Sequence, residues 1–402
     1  MDFAFTEEQR AVAEAASGVF AGTADAERVA AVERSDDRFD EVLWHELARA
    51  NLLGLAVPEA HGGSGLAMTE LGLVLEQQGR HVAPVPLWAT TVLGALPLAR
   101  FGTPQQQAQW LPGVVTGDVR LTAALNEVAA SAQYRPAVTA VPDGAGWRLS
   151  GTAVAVPQAH VAHRVLVPAS GPAGVLVALV DPHGQGVSLE RAETTDRQVH
   201  PHVRLDGVPV GPGDLLGTEG TGPGGAGGVA PTSGGAILTW MLERAATGLC
   251  ALALGVSEEA VRRSAAYLNQ RHQFGRPLSS FQGAMLRAAD AYIDTEAMRA
   301  TTWQAAWRLD TGRPADQAVA VAKWWASEAG QRVVHAAQHL HGGLGADVEY
   351  PIHRYFLWGK QIELMLEGPS ATLYRLGQLV AHELAAAGAS AAGGPPVGTA
   401  AS

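Results

Sequence analysis

Cysteine is almost missing from this chain, and the scarcity removes a class of folds. Cys250 stands alone among 402 residues, so no internal disulfide framework holds the molecule together. Positive charge is also thin: 28 Lys and Arg against 39 Asp and Glu give a net charge of −11, with no block of basic residues. That balance suits nucleic acid poorly, and no nucleic acid is expected as a partner. No apolar run approaches the about 18 residues needed to span a bilayer, so no membrane partner is expected either. The opening "MDFAFTEEQR" is too acidic for a secretory or transit signal, which places the expected location in the cytoplasm. What the chain does have is length and 47% hydrophobic residues, enough for a large core and more than one domain in a soluble protein.

Its texture changes twice along the sequence. Thr6 and Gln9 have capping-box spacing, and Val12, Ala16, Val19 and Phe20 recur at helical intervals. Residues 1–120 therefore read as a helical domain, punctuated by "VPEAHGGSG" and "APVP". From 121 to 216 short Val-rich runs alternate with Gly, Pro and Asp turns, the pattern of an antiparallel β domain. The stretch 217–236, "GTEGTGPGGAGGVAPTSGGA", reads as a flexible linker. It is not a dinucleotide-binding glycine motif, since no strand precedes it within a βαβ unit. Residues 237–270 are apolar almost all round, as in the central helix of a bundle, and further helices are predicted at 281–310, 315–340 and 360–385. The bundle spans 237–386, and the tail 387–402 is expected to be disordered. Helices, then strands, then helices make an α+β chain.

Several local patterns carry chemistry. In "RYFLWGKQIELMLEGPSATLYRLG", Glu367 follows Ile362, Leu364, Met365 and Leu366 and stands before Gly368, where burying a carboxylate costs several kcal/mol unless something compensates. A second carboxylate, Glu243, sits beside Arg244 in the apolar helix, where a structural ion pair is the competing explanation. In "QRHQFGRPLSSFQ", Arg271 offers a guanidinium fork suited to phosphates, and Phe274 offers a ring to pack on another ring. An ordinary helix C-terminus with a basic residue on its dipole would also read this way. "HLHGGLGADVEYPIHRYF" places Gly342, Gly343 and Gly345 after a helix, either as a stop or for close backbone approach to a ligand. His335, His339 and His341 sit nearby without Asp, Glu or Cys among them, so no metal site is assigned.

With "LLGLAVPEAHGGSGL" these segments, in this order, resemble the acyl-CoA dehydrogenase family of flavoproteins from about Phe5 to Leu384. The resemblance implies a helical N-terminal domain, a middle β domain and a C-terminal bundle, with FAD as cofactor. It implies that Arg271, Phe274 and Gln282 reach across a dimer contact to the FAD of a neighbouring subunit, that His339, Gly342 and Gly343 meet its adenine half, and that Ser370 also contacts it. The implied reaction removes the α-proton of an acyl thioester with a carboxylate and passes the β-hydrogen as hydride to flavin N5. Glu367 is ranked first as that carboxylate and Glu243 second, since some branches use the matching position. Arg244 and Gly368 fall in the substrate region, and the backbone N–H of Glu367 is expected to be free as an oxyanion donor. The chain departs from the family pattern in two places. Leu125, Asn126 and Glu127 stand where Thr-Glu-Pro is usual, and Ala155 and Pro157 where Trp-x-Thr is usual; the resemblance still places Leu125 and Asn126 among the FAD contacts, Asn126 offering hydrogen bonds to a flavin edge. Such departures resemble actinobacterial branches acting on bulky acyl groups, several of which work as mixed tetramers. The implied partners are an acyl-CoA or acyl-carrier-protein thioester, an electron-transfer flavoprotein as acceptor, and further subunits in a homo-oligomer or mixed tetramer. Two alternatives stay open: a supporting subunit of a heteromeric enzyme, and an oxidase-like relative using oxygen.

Overall fold

The computed structural model describes residues 4–127, 134–217 and 233–392. Helices α1 (Glu7–Thr23), α2 (Ala26–Val32), α3 (Glu41–Arg49), α4 (Met68–His81), α5 (Leu96–Phe101) and α6 (Pro104–Thr116) build the first domain. Side chains at their starts explain where they begin. Thr6 and Gln9 cap α1 reciprocally, Asp25 and Asp40 accept from the first turns of α2 and α3, and Thr103 with Gln106 closes a second capping box before α6. Between α4 and α5 the chain winds as a fully buried π-helix, Trp88–Ala95, which residue spacing alone does not predict.

The middle domain holds β1 (Leu121–Ala123), β2 (Thr139–Asp143), β3 (Gly146–Ala153), β4 (Arg164–Gly171), β5 (Gly174–Val180), β6 (Val187–Glu190) and β7 (His202–Val210). Alternation sets its inner face, as in β7, where Val203, Leu205, Val208 and Val210 point into a core shared with Leu149, Val165 and Val167. The expectation of an antiparallel sheet needs one correction. Strands β1 and β2 share one edge of β4 and both run parallel to it, while β5 takes the other edge as an antiparallel hairpin. Hairpins force antiparallel pairing, but β1 and β4 are separated by two strands and several loops, so nothing in their connection dictates it.

The last domain comprises α7 (Gly234–Gln270), a small hairpin of β8 (His272–Gln273) and β9 (Arg276–Pro277), then α8 (Gln282–Asp310), α9 (Asp316–Leu340), α10 (Ile352–Leu364) and α11 (Pro369–Ala392). Of the supposed linker, residues 218–232 lie outside the described residues, and 234–236 are the first turn of α7, capped by the Ser233 hydroxyl. Of the supposed tail, 387–392 continue α11 and 393–402 lie outside the described residues. Helix α7 is, by length and composition, apolar enough to cross a membrane, contrary to the sequence reading, but 78% of its apolar window is buried inside the protein. The single helix predicted at 360–385 is two. The break falls at Met365–Gly368, where Leu366 takes φ +65° and the Glu367 N–H donates to the Met365 carbonyl at 2.9 Å, the tight γ-turn of the rarer, positive-φ kind. Pro369 then opens α11, where a missing N–H costs nothing.

Lys323 of α9 fixes that break. It is wholly buried, and its ammonium donates to the Ser327 hydroxyl at 2.7 Å, to the carbonyls of Ile362 and Glu363 at 3.3 Å, and to the Glu367 carbonyl at 3.0 Å. Carbonyls left over at a helix C-terminus attract a cation. Desolvation nonetheless pushes the Lys323 ammonium down from 10.5 to about 8. A second junction joins all three domains. Glu33, just after α2, accepts from Arg354 of α10 through both carboxylate oxygens at 3.0 Å, and from Arg197 of the β domain at 3.2 Å.

Two outcomes follow. Between pH 8 and 10.5 the unfolded chain keeps a proton on Lys323 that the folded chain releases, so this group makes stability rise with pH across that window. The rise in urea midpoint attributable to it should vanish in Lys323→Met; an unchanged profile would refute the assignment. Glu33→Ala strands the buried Arg354 without a partner and should cost about 3–5 kcal/mol in urea unfolding, largely recovered in the Glu33→Ala, Arg354→Met double variant.

Candidate active site

Both carboxylates singled out from sequence arrive at one place. Glu243, in the third turn of α7, and Glu367, in the turn between α10 and α11, line a cavity with about 290 Å³ of space free of atoms, together with Leu242, Ala246, Lys323 and Arg375. Their surroundings differ. Burial pushes the Glu243 carboxyl upward, and its guanidinium neighbour Arg244 stands off at 3.5 Å because it stacks over the Trp240 ring at 3.8 Å and donates to the Trp240 carbonyl. Burial also brings Arg244 down to about 10. Glu367 is buried but not bare, as its apolar neighbours suggested. Arg375 donates to its Oε1 from Nε at 2.9 Å and Nη2 at 2.5 Å. The expected free N–H of Glu367 is also corrected, since the γ-turn uses it.

Asn126 locks the β domain to this turn. Its Oδ1 accepts from the Leu366 N–H at 3.1 Å and its Nδ2 donates to the Ala155 carbonyl at 2.8 Å. Leu125 is buried in the main apolar core, Ser370 is exposed in the first turn of α11, and the Gly368 carbonyl accepts from Thr372. Arg375 and Lys323 were missed from sequence. Arg375 lies two turns into α11 from Glu367, a spacing that could have flagged it, whereas nothing local ties Lys323 to residues about 40 positions away.

The remaining candidates gather at the far end of α7. Arg271 caps that end, exposed, and no carboxylate pairs with it among the described residues. Phe274 and Gly275 form the two-residue tip between β8 and β9 with φ +54° and +80°, the positive values such hairpin tips require. Phe274 is 90% exposed. It lines a groove with Phe281, His339 and Leu340, beside the exposed start of α8 at Gln282. A Cβ added at Gly342 or Gly343 would meet nothing within 4 Å, so the backbone there is open to a ligand. His341 stacks on Tyr267 and His335 packs edge-on to Phe356, and no trio of metal-ligating side chains occurs among the described residues. An unpaired guanidinium, an uncovered aromatic ring and bare glycine backbone fit the phosphates and rings of FAD. From Glu243 to Arg271 the helix runs 28 residues, or about 42 Å.

Residues 6–118 match the acyl-CoA dehydrogenase N-terminal domain and residues 232–378 the C-terminal domain. The acyl-CoA dehydrogenase FadE27 of Mycobacterium tuberculosis is 36% identical over 95% of this chain and 99% of its own length. Among solved structures, the Tcur3481-Tcur3483 steroid ACAD variant is similar at 49% identity and TM-score 0.86, covering 94% of this chain and 99% of that one. A chain of the ChsE4-ChsE5 complex from Mycobacterium tuberculosis is similar at 36% identity and TM-score 0.86, covering 95% and 99%. Domain order, the two matched domains and a relative aligned end to end show that this chain belongs to the acyl-CoA dehydrogenase family of FAD-dependent oxidoreductases.

Proposed function

We propose that the chain introduces an α,β double bond into a bulky acyl-CoA thioester, with Glu243 accepting the α-proton. The observation that carries this reading is the meeting of a buried carboxylate, Glu367, and a half-buried one, Glu243, in one cavity, where Glu367 is held by Arg375 at 2.5 Å and Glu243 meets Arg244 only at 3.5 Å. Glu243 has the environment a base needs: desolvation raises its carboxyl, and Arg244 is held back by Trp240. Glu367, with Arg375, is a fixed wall that orients the thioester. Lys323 and Arg375 bring positive charge to the cavity rim, where an enolate oxygen gains negative charge. FAD, when bound, supplies the acceptor for the β-hydrogen. Arg271 and Phe274 hold a second FAD molecule, that of a neighbouring subunit, because about 42 Å of helix separates them from Glu243.

A second reading has its own support. The engaged N–H of Glu367, its clamp by Arg375 and the Asn126 lock leave the turn without spare donors, as expected of a supporting subunit. The relatives described as the ChsE4-ChsE5 complex and Tcur3481-Tcur3483 carry two component names each. Expression alone separates the two readings: a self-sufficient enzyme is yellow and bleaches anaerobically with an acyl-CoA, whereas a supporting subunit bleaches only after mixing with a partner chain.

Glu243→Gln should keep FAD yet slow bleaching by about 10²–10⁴-fold, while Glu367→Gln slows it far less; if only Glu367→Gln abolishes bleaching, the roles are reversed. In the parent, kcat/KM should fall as pH drops through a limb lying above the ordinary glutamate value, since Glu243 must be unprotonated to act. Arg271→Ala should weaken FAD retention about tenfold or more, read as loss of absorbance after gel filtration; full retention would remove Arg271 from the cofactor site.

A further inference from the structure

The cavity that brings the two carboxylates together has room for about one water molecule. What enters it is therefore the size of a single oxygen atom, and any acyl chain lies outside. Five of its nine lining residues have polar side chains, Tyr134, Glu243, Lys323, Glu367 and Arg375, so the space is shaped for a polar atom. A thioester offers one such atom, its carbonyl oxygen.

Most donors on these walls are already engaged. Lys323 gives its ammonium to the Ser327 hydroxyl and to the carbonyls of Ile362, Glu363 and Glu367. Arg375 gives Nε and Nη2 to the Glu367 carboxylate, and the Glu367 N–H closes the γ-turn. Ionised Glu243 and Glu367 only accept. Two side-chain donors are left: Nη1 of Arg375 and the Tyr134 hydroxyl make no hydrogen bond among the described residues.

Tyr134 stands in the loop before β2, 41% exposed, with one part of its side chain toward solvent and another on the cavity. Arg375, Glu367 and Glu243 all act electrostatically on its hydroxyl, which sets that oxygen at the cavity end of the ring. Burial pushes the phenol above its ordinary 10.0, against the pull of Arg375, so the hydroxyl keeps its proton at neutral pH and is available as a donor. A thioester whose Cα faces Glu243 carries its carbonyl oxygen one carbon away, beside this hydroxyl.

We propose that Tyr134 is a catalytic residue whose hydroxyl donates to the thioester carbonyl oxygen and holds that oxygen as it becomes an enolate. The proposal rests on the dehydrogenase reading for the transfer of the α-proton to Glu243. In that step the α C–H bond breaks, its proton goes to the Glu243 carboxylate, its electron pair forms the enolate C=C bond, and the carbonyl π pair moves onto oxygen. Tyr134 keeps its own proton throughout, because a hydrogen bond to an oxyanion strengthens as the charge grows. It thereby supplies the donor that the γ-turn withdraws when it engages the Glu367 N–H.

The test follows exchange of the thioester α-hydrogens with D₂O by mass spectrometry, with octanoyl-CoA and the bulkier cyclohexylpropanoyl-CoA as probes. The protein is FAD-loaded and reduced with dithionite beforehand, so that no hydride can leave and proton transfer is read alone. Tyr134→Phe should slow exchange at saturating thioester by about 10²–10³-fold, the cost of one oxyanion donor, while thioester affinity stays within about threefold. Phenylalanine keeps the ring and removes no hydrogen bond seen in the unliganded chain, so a role in shaping the wall alone predicts the parental rate. Exchange by Tyr134→Phe within about twofold of the parent would overturn the proposal and leave the dehydrogenase reading standing. Exchange that persists in Glu243→Gln but falls in Tyr134→Phe would uphold the donor and remove Glu243 as the base. No exchange of either thioester by the parent would sink the dehydrogenase reading itself, and the proposal with it.

Discussion

Helices α4 and α7 touch backbone to backbone, and the rest of the molecule is arranged around that contact. A Cβ at Gly255 would lie 1.9 Å from the Glu76 carbonyl oxygen, and one at Gly79 2.2 Å from the Leu252 carbonyl oxygen. Neither position has room for any side chain, because the obstacle is the backbone of the facing helix. The approach holds the N-terminal domain tightly against the bundle and encloses α7, whose residues from Ala245 to Ser257 are all buried. It also brings the π-helix close, so that Trp88 lies against Gly248 and donates from Nε1 to the Ala245 carbonyl at 3.1 Å. Trp88 helps wall a cavity beside α7, so the helix contact and the shape of that cavity are one constraint.

The turn at Met365–Gly368 is the second joint, and it is strained. A leucine at φ +65° is unfavourable by itself, and such backbone persists only where the surroundings over-determine it. Here three side chains do so from three directions. Lys323 holds the carbonyls on both sides of the turn, Asn126 holds the Leu366 N–H from the β domain, and Arg375 holds the Glu367 carboxylate from the following helix. Strain retained at the edge of a cavity containing two carboxylates is backbone sacrificed for position.

Much of this was legible in the sequence. The capping box at Thr6 and Gln9, the all-round apolar helix after the Gly-rich stretch and the Val-rich run of strands each follow from local rules of spacing, and each element stands where those rules put it. The convergence of Glu243 and Glu367 was legible only as two separate oddities, since their meeting depends on α7 and α10 packing across more than a hundred residues of chain. Some failures have a partner distant in sequence as their cause: the parallel pairing of β1 with β4 and the Lys323 contacts that hold the γ-turn between α10 and α11 arise from tertiary contacts that periodicity does not encode. The Arg375 clamp on Glu367 is different, a contact between residues eight apart that spacing could have flagged. The π-helix adds a further case, because its composition is that of any buried helix.

The two carboxylates differ in their charged surroundings. The cavity gathers Glu243 and Glu367 with Lys323 and Arg375, two of each sign, in a space where desolvation makes every unpaired charge costly. Arg375 takes Glu367 by short contact. Lys323 spends its ammonium on a hydroxyl and three carbonyls rather than on a carboxylate. Glu243 is thereby left as the group whose charge is least compensated, with burial pushing its carboxyl up and Arg244 held 3.5 Å away by its stack on Trp240. In the assignment proposed above the base is Glu243, and Trp240, one helical turn before it, acts by holding Arg244 back from its carboxylate.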